Sequence, residues 1–191
     1  MNSASISGTD EQPGNVPEGG RFESRERALV RAHFTAIWRA LRRFGLSAAD
    51  ADDAAQHVFL GAVQRLDQIE AGRERAFLYG MAANAAFKTR RTLVRRREDL
   101  TDFDHVVDPM PSSEELLERR RARELLDRIL DALEDDVRVV FVLHQIEQLT
   151  APEIAEALGI RLGTVASRLR RGREQFARRL AQFRNRTGGR R

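Results

Sequence analysis

No cysteine occurs in the chain, which excludes disulfides, thiol catalysis and cysteine-based metal sites. Histidine is scarce, and His33, His57, His105 and His144 stand at no metal-ligand spacing. No apolar run approaches the roughly 20 residues that a membrane-spanning helix needs. The first residues lack the basic and apolar parts of a secretion signal. The expectation is a cytoplasmic protein with no membrane insertion of its own. There is no glycine-rich phosphate loop and no nucleophile–base pair, so the chain does not read as an enzyme. Aromatics make up only 6% against 32% charged residues, a balance that suits packed helices better than a β-sandwich core. Lysine is nearly absent, with Lys88 alone among the arginines. The formal net charge is only +4, because 29 acidic residues offset 33 basic ones. Where the charges lie therefore matters more than their sum.

What is present begins at the C-terminal end. Residues 149–179, LTAPEIAEALGIRLGTVASRLRRGREQFARR, read as a helix-turn-helix. Thr150 is the N-cap of the first helix, and Pro152 stands just inside, where its missing N–H costs nothing. Ile154, Ala155 and Leu158 form one apolar stripe. Gly159 ends the helix as a residue able to take positive φ. Ile160 and Leu162 fill the turn. On the second helix Val165, Leu169, Gly172 and Phe176 share one face. Thr164, Ser167, Arg170, Arg171 and Glu174 share the other. Hydroxyls at the N-terminal end and arginines along the outer face suit a major groove lined by phosphates.

The rest of the chain is also helical in pattern. Residues 1–24 are rich in Ser, Gly, Pro, Asn and acid, and predict a disordered lead. A first helix over 26–45 places Leu29, Val30, Phe34, Ile37, Trp38, Leu41 and Phe44 on one wide stripe. Ser47 caps a second helix whose buried face is Val58, Phe59, Ala62, Val63 and Leu66, with Asp50, Asp52 and Asp53 in its first turns. Residues 69–75 read as a loop around Gly72. A third helix over 76–93 carries Phe77, Tyr79 and Phe87 beside Lys88, Arg90 and Arg91, with Arg95, Arg96 and Arg97 following. Cations for phosphates next to flat rings suit a nucleic-acid surface. Residues 98–122 read as an acidic linker, turning helical from about Glu114. Leu125, Leu126, Ile129, Leu130 and Leu133 mark one further helix. Val137, Val139, Val140, Phe141, Leu143 and Ile146 mark the next. Residues 184–191 form a basic, frayed tail. The expected fold is all-α, with two small helical domains over 25–97 and 123–183, the second ending in the helix-turn-helix.

Three stretches in this order resemble the bacterial RNA polymerase sigma factors of the extracytoplasmic-function (ECF) group. DADDAAQHVFL over 50–60 is similar to the family's core-polymerase-binding helix, D-A-E-D-L-V-Q-E-V-F-L. FLYGMAAN over 77–84 is similar to its W-L-Y-R-I-A-R-N segment, which leads into −10 recognition. GTVASRLRRGR over 163–173 is similar to its −35 helix, G-T-V-K-S-R-L-x-R-A-R. The chain departs from these patterns at several places. Phe77 stands for a usual Trp, Gly80 and Ala83 for usual arginines, His57 for an acid, Leu162 for Pro and Ala166 for Lys or Arg. Gly80 also weakens its helix by roughly 1 kcal/mol relative to Ala.

The resemblance implies a non-catalytic specificity factor that binds core RNA polymerase and promoter DNA, with an anti-sigma factor as a further partner. It implies no cofactor and no metal. Asp52, Asp53, Gln56 and Phe59 would meet the polymerase, with Phe59 partly in the core. Asn84, Lys88, Arg90 and Arg91 would lie along the −10 strand. Arg161, Thr164, Ser167, Arg168, Arg171 and Arg173 would engage the −35 element. Arg171 and Ser167 would contact bases or their adjacent phosphates, and Arg168 and Arg173 would hold phosphates. The acidic linker would thread toward the active-site cleft of the polymerase. On its own residues the chain also reads as a dimeric one-component helix-turn-helix regulator, with 25–97 as the sensing or dimerising bundle.

Overall fold

The computed structural model describes residues 24–97 and 114–188. Residues 1–23 of the expected disordered lead over 1–24, most of the acidic linker and the last three residues lie outside the described residues. So do the side chains of Arg95, Arg96 and Arg97. Seven α-helices and one 3₁₀ turn, Leu66–Gln68, make up the described residues, with no strand among them.

Ser24 opens α1, Arg25–Arg43, by accepting the Arg27 N–H on its side chain. Gly45 stops that helix in the left-handed region. Ser47 then caps α2, Ala48–Val63, from the Asp50 N–H at 3.1 Å. The third helix, α3, runs over Glu74–Arg97, longer at both ends than its apolar pattern predicts. Glu74 sets its start, because its carboxylate accepts the Gly72 N–H at 2.7 Å. These three helices pack pairwise around Leu41, Phe44, Ala55, Val58, Leu78 and Ala82, all at most 2% exposed.

The second unit starts with α4, Glu114–Asp131, which takes up the last part of the span expected to be linker. The next helix is α5, Asp135–Gln145, an almost wholly buried run from Val137 to Leu143. Gln148, at φ +59°, turns the chain into α6, Ala151–Leu158. The helix-turn-helix closes with α7, Leu162–Gly188. It continues well past Asn185, so the predicted frayed tail is helical to Gly188. The α7 helix packs on α5, α6 and α4.

One expectation about the core is corrected. Phe34 and Val63, placed by their spacing on buried stripes, are 39% and 36% exposed. The stripes are wider than the neighbouring helices can cover. A single cluster of buried side chains runs from Leu29 through Leu78 and Leu143 to Leu169, and α6 packs directly on α3. No helix among the described residues is long and apolar enough to cross a membrane.

Candidate nucleic-acid and polymerase interfaces

The helix-turn-helix is built by the local chemistry expected of it. Thr150 and Glu153 form a reciprocal capping box: the Thr150 N–H donates to Glu153 Oε2 at 2.7 Å, and the Glu153 N–H donates back to Thr150 Oγ1. The hydrogen bonds from Thr150 hold the Glu153 carboxyl below its usual range. Gly159 takes φ +63°, a conformation costing an ordinary residue roughly 1–2 kcal/mol. Val165 and Leu169 are buried, Gly172 lies against Val137 and Phe141, and Phe176 stacks on Phe141 at 5.1 Å between centroids. Leu162 does not fill the turn: it is the first residue of α7 and is 51% exposed.

With that face buried, the opposite face of α7 is turned outward. Arg161, Ser167, Arg170 and Arg173 are exposed, while Thr164, Arg168 and Arg171 are half-buried. The arginines are oriented by acids. Arg168 pairs with Asp136 at 2.9 Å, Arg171 with Glu134, and Arg170 with Glu174 at 3.0 Å. Glu134 and Asp136 flank the start of α5. Exposed pairs of this kind are worth less than about 1 kcal/mol, so a phosphate can displace the carboxylates.

On α3 the structure separates the four −10 candidates. Asn84, Lys88 and Arg91 are exposed and follow one another at four- and three-residue steps, hence on one face. Arg90 is turned away. Its Nη2 pairs with Asp135 of α5 at 2.8 Å, and its Nη1 approaches the carbonyls of Phe44 and Gly45. Phe77 and Phe87 are half-buried against the core, and Tyr79 is only 1% exposed. The Tyr79 hydroxyl donates to Glu147, and burial together with that carboxylate pushes its pKa up to about 12.

The four polymerase candidates lie on one side of α2. Asp52 is exposed and accepts the Trp38 indole N–H at 2.7 Å. Asp53 and Gln56 are exposed, and the Asp53 carbonyl lies 2.7 Å from His57 Nδ1. Phe59 is more deeply buried than expected, 5% exposed, with its ring 5.7 Å from that of Phe34. Sequence reasoning missed Leu60, which is 64% exposed. Its spacing of four from Gln56 was a usable signal, since it places Leu60 on the outer face. Leu60 and Val63, three residues apart on α2, are exposed on the helix that carries Asp52, Asp53 and Gln56, and Phe34 of α1, whose ring meets that of Phe59, is exposed as well. Among the described residues no cluster of side chains is suited to hold a metal ion.

The fold and its arginine-faced recognition helix define an all-helical DNA-binding protein of two units. Comparison with known sequences places each unit. Residues 29–97 match the family described as Sigma-70 region 2, and residues 123–176 match Sigma-70, region 4. The chain is 30% identical over 142 residues to the ECF RNA polymerase sigma factor SigW of Bacillus subtilis, covering 69% of this chain and 75% of that one. It is 31% identical over 161 residues to ECF sigma factor SigE of Mycolicibacterium smegmatis, covering 83% of this chain but 63% of that protein's length. Among solved structures, CnrH in complex with the cytosolic domain of CnrY superposes with a TM-score of 0.59 at 28% identity, covering 82% of this chain and 88% of that one. The sigma factor RpoE of Bartonella quintana, solved with the anti-sigma factor NepR, shares the fold with a TM-score of 0.66 at 19% identity, covering 81% and 96%. The chain belongs to the sigma-70 family of RNA polymerase sigma factors, in its ECF group.

Proposed function

We propose that the chain binds core RNA polymerase in the cytoplasm and directs it to a particular class of promoter, as an alternative sigma factor without catalytic chemistry of its own. The observation that carries this reading is that one chain holds two dissimilar surfaces, each in a segment matching a different sigma-70 region. On α2, acids stand beside the exposed Leu60 and Val63, with Phe34 of α1 exposed as well. A polar rim around an apolar centre is the anatomy of a protein-binding surface. On α7, arginines and hydroxyls cover the face away from the core. A self-sufficient regulator needs only the second of these.

In this reading Asp52, Asp53 and Gln56 meet basic groups on the polymerase, while Leu60 and Val63 supply apolar area. Phe59 supports the patch from beneath. Arg171 and Ser167 reach base edges or nearby phosphates of the −35 element, and Arg161, Thr164, Arg168 and Arg173 hold the backbone. Phosphate contacts set register, and only base-edge contacts choose sequence. Asn84, Lys88 and Arg91 follow the −10 strand. Arg90 joins them only after leaving Asp135. An anti-sigma factor is the expected regulator, as in the two structural neighbours solved with partner proteins.

Run-off transcription with core polymerase across a promoter library tests the reading. The expected result is a narrow set of promoters used only when the chain is added. Specific binding of duplex DNA by the chain alone, with no effect on start-site choice, would favour a one-component regulator and reject it.

A further inference from the structure

The buried helix α5 braces α7 from both of its ends. At its start, Glu134 and Asp136 hold Arg171 and Arg168. At its end, Gln145 reaches Arg173. The half-buried Gln145 side chain faces N–H donors, which turns its amide oxygen toward them. That oxygen accepts Arg173 Nε and Nη2, each at 2.9 Å, and lies 3.3 Å from His144 Nδ1. The backbone of Gln145 is tied as well, since its carbonyl accepts the Gln148 side-chain N–H at 2.9 Å. Arg168 and Arg173 are five residues apart, a rotation of about 140° on a helix, so they leave α7 on opposite flanks. Ser167, Arg170 and Arg171 stand on the outer face between them. The two braces differ in charge. Carboxylates offset the charge of Arg168 and Arg171. Among the described residues no ion pair involves Arg173, and the group that holds it is neutral.

We infer that Gln145 is a positioning residue for DNA: it aims Arg173, with its charge intact, at the phosphate backbone along one wall of the −35 groove, opposite the wall met by Arg168. This rests on the sigma-factor reading above and deepens it. A helix seated in a major groove has a phosphate backbone along each flank. On the Arg168 flank, every phosphate contact is made at the expense of a carboxylate pair. On the Arg173 flank, the amide supplies orientation without such competition. It occupies the Nε edge of the guanidinium and leaves the outer N–H groups for a phosphate. Fixing a long side chain before DNA arrives also removes the cost of ordering it on binding. Arg173 is thereby the electrostatic anchor of the reading helix.

The test titrates core polymerase loaded with the full chain against two duplexes across a salt series. One carries a promoter recovered in the run-off screen, and the other has one −35 base pair changed. Circular dichroism checks that each variant is folded. Gln145→Leu frees Arg173 but leaves its charge. It is expected to weaken binding roughly threefold to tenfold, the cost of ordering one long side chain, at an unchanged salt slope. Gln145→Glu adds a competing carboxylate. It is expected to weaken binding about tenfold at low salt and to reduce the salt slope by about one. Both losses are expected to be equal on the two duplexes, as for a phosphate contact, and to vanish in an Arg173→Ala background. A role for Gln145 in packing alone would survive the removal of Arg173. Losses undiminished in that background, unchanged binding by either variant, a loss confined to one duplex, or an unchanged slope for Gln145→Glu would overturn the assignment. If the loaded polymerase shows no preference for any promoter, the sigma-factor reading falls instead. The free chain titrated against a random-sequence duplex, with the same variants, then decides Gln145, and a chain that binds no DNA overturns it too.

Discussion

Arg90 of α3 holds Asp135 of α5 at 2.8 Å, joining the unit matched to region 2 with the unit matched to region 4. The sequence places Arg90 with Lys88 and Arg91 as one cationic stripe. Helical geometry divides them, because a step of two residues turns by about 200°. Lys88 and Arg91 face outward and Arg90 faces the other unit. The consequences for function can be measured at four places.

Arg171 pairs with Glu134 in the free chain and is 43% exposed on its side chain. Arg171→Ala should lower transcription from the preferred promoter by about 10- to 100-fold, the worth of one good arginine–base contact. Core-polymerase binding should not change. Run-off transcription beside a pull-down separates the two, and undiminished transcription removes Arg171 from the reading face.

Leu60 is 64% exposed, so Leu60→Asp should change folding stability by no more than about 0.5 kcal/mol. It should nonetheless abolish detectable capture of core polymerase. Asp53→Arg, on the same face, should weaken capture by reversing the charge met by the polymerase. Normal capture by both variants would move the docking surface away from α2.

Lys88→Glu and Arg91→Glu together should reduce open-complex formation and flatten its dependence on salt, since each lost phosphate contact removes about one released counterion from the slope. Permanganate footprinting of the melted strand across a salt series reads both quantities. Wild-type melting at every salt concentration would leave the α3 stripe as plain solvated surface.

Tyr79→Phe removes the hydroxyl that donates to the buried Glu147 carboxylate. The loss should be about 1–3 kcal/mol, lowering Tm by about 3–8 °C in a chain of this size. A pH signature accompanies it. The Tyr79 pKa is raised to about 12 from an ordinary 10.0, so the folded protein holds this proton more tightly than the unfolded chain does. The stabilisation is complete below pH 10 and is lost as pH rises to about 12, amounting to at most about 2–3 kcal/mol. Urea midpoints of the wild type and the variant should therefore converge across that window. A constant gap would assign the effect to packing alone.

Local order in this chain follows from short-range chemistry, which is why it is legible in the residues themselves. Ser47, Thr150, Glu153 and Gly159 each bond to groups within four residues of themselves, and the helix ends they set are the ones observed. The Val165–Leu169–Gly172–Phe176 face is buried because a 3.6-residue period leaves it no other side to turn. Long-range packing decides the remainder. Phe34, Leu60 and Val63 are exposed because the three-helix unit is too narrow to cover the full stripe. Tyr79 is withdrawn from any nucleic-acid face because Glu147, 68 positions later, meets its hydroxyl. Gly80 looks like a weak point in a helix until α6 is seen against it. Periodicity and caps depend on neighbours along the chain. Which surfaces stay free depends on the second unit, brought close only by folding.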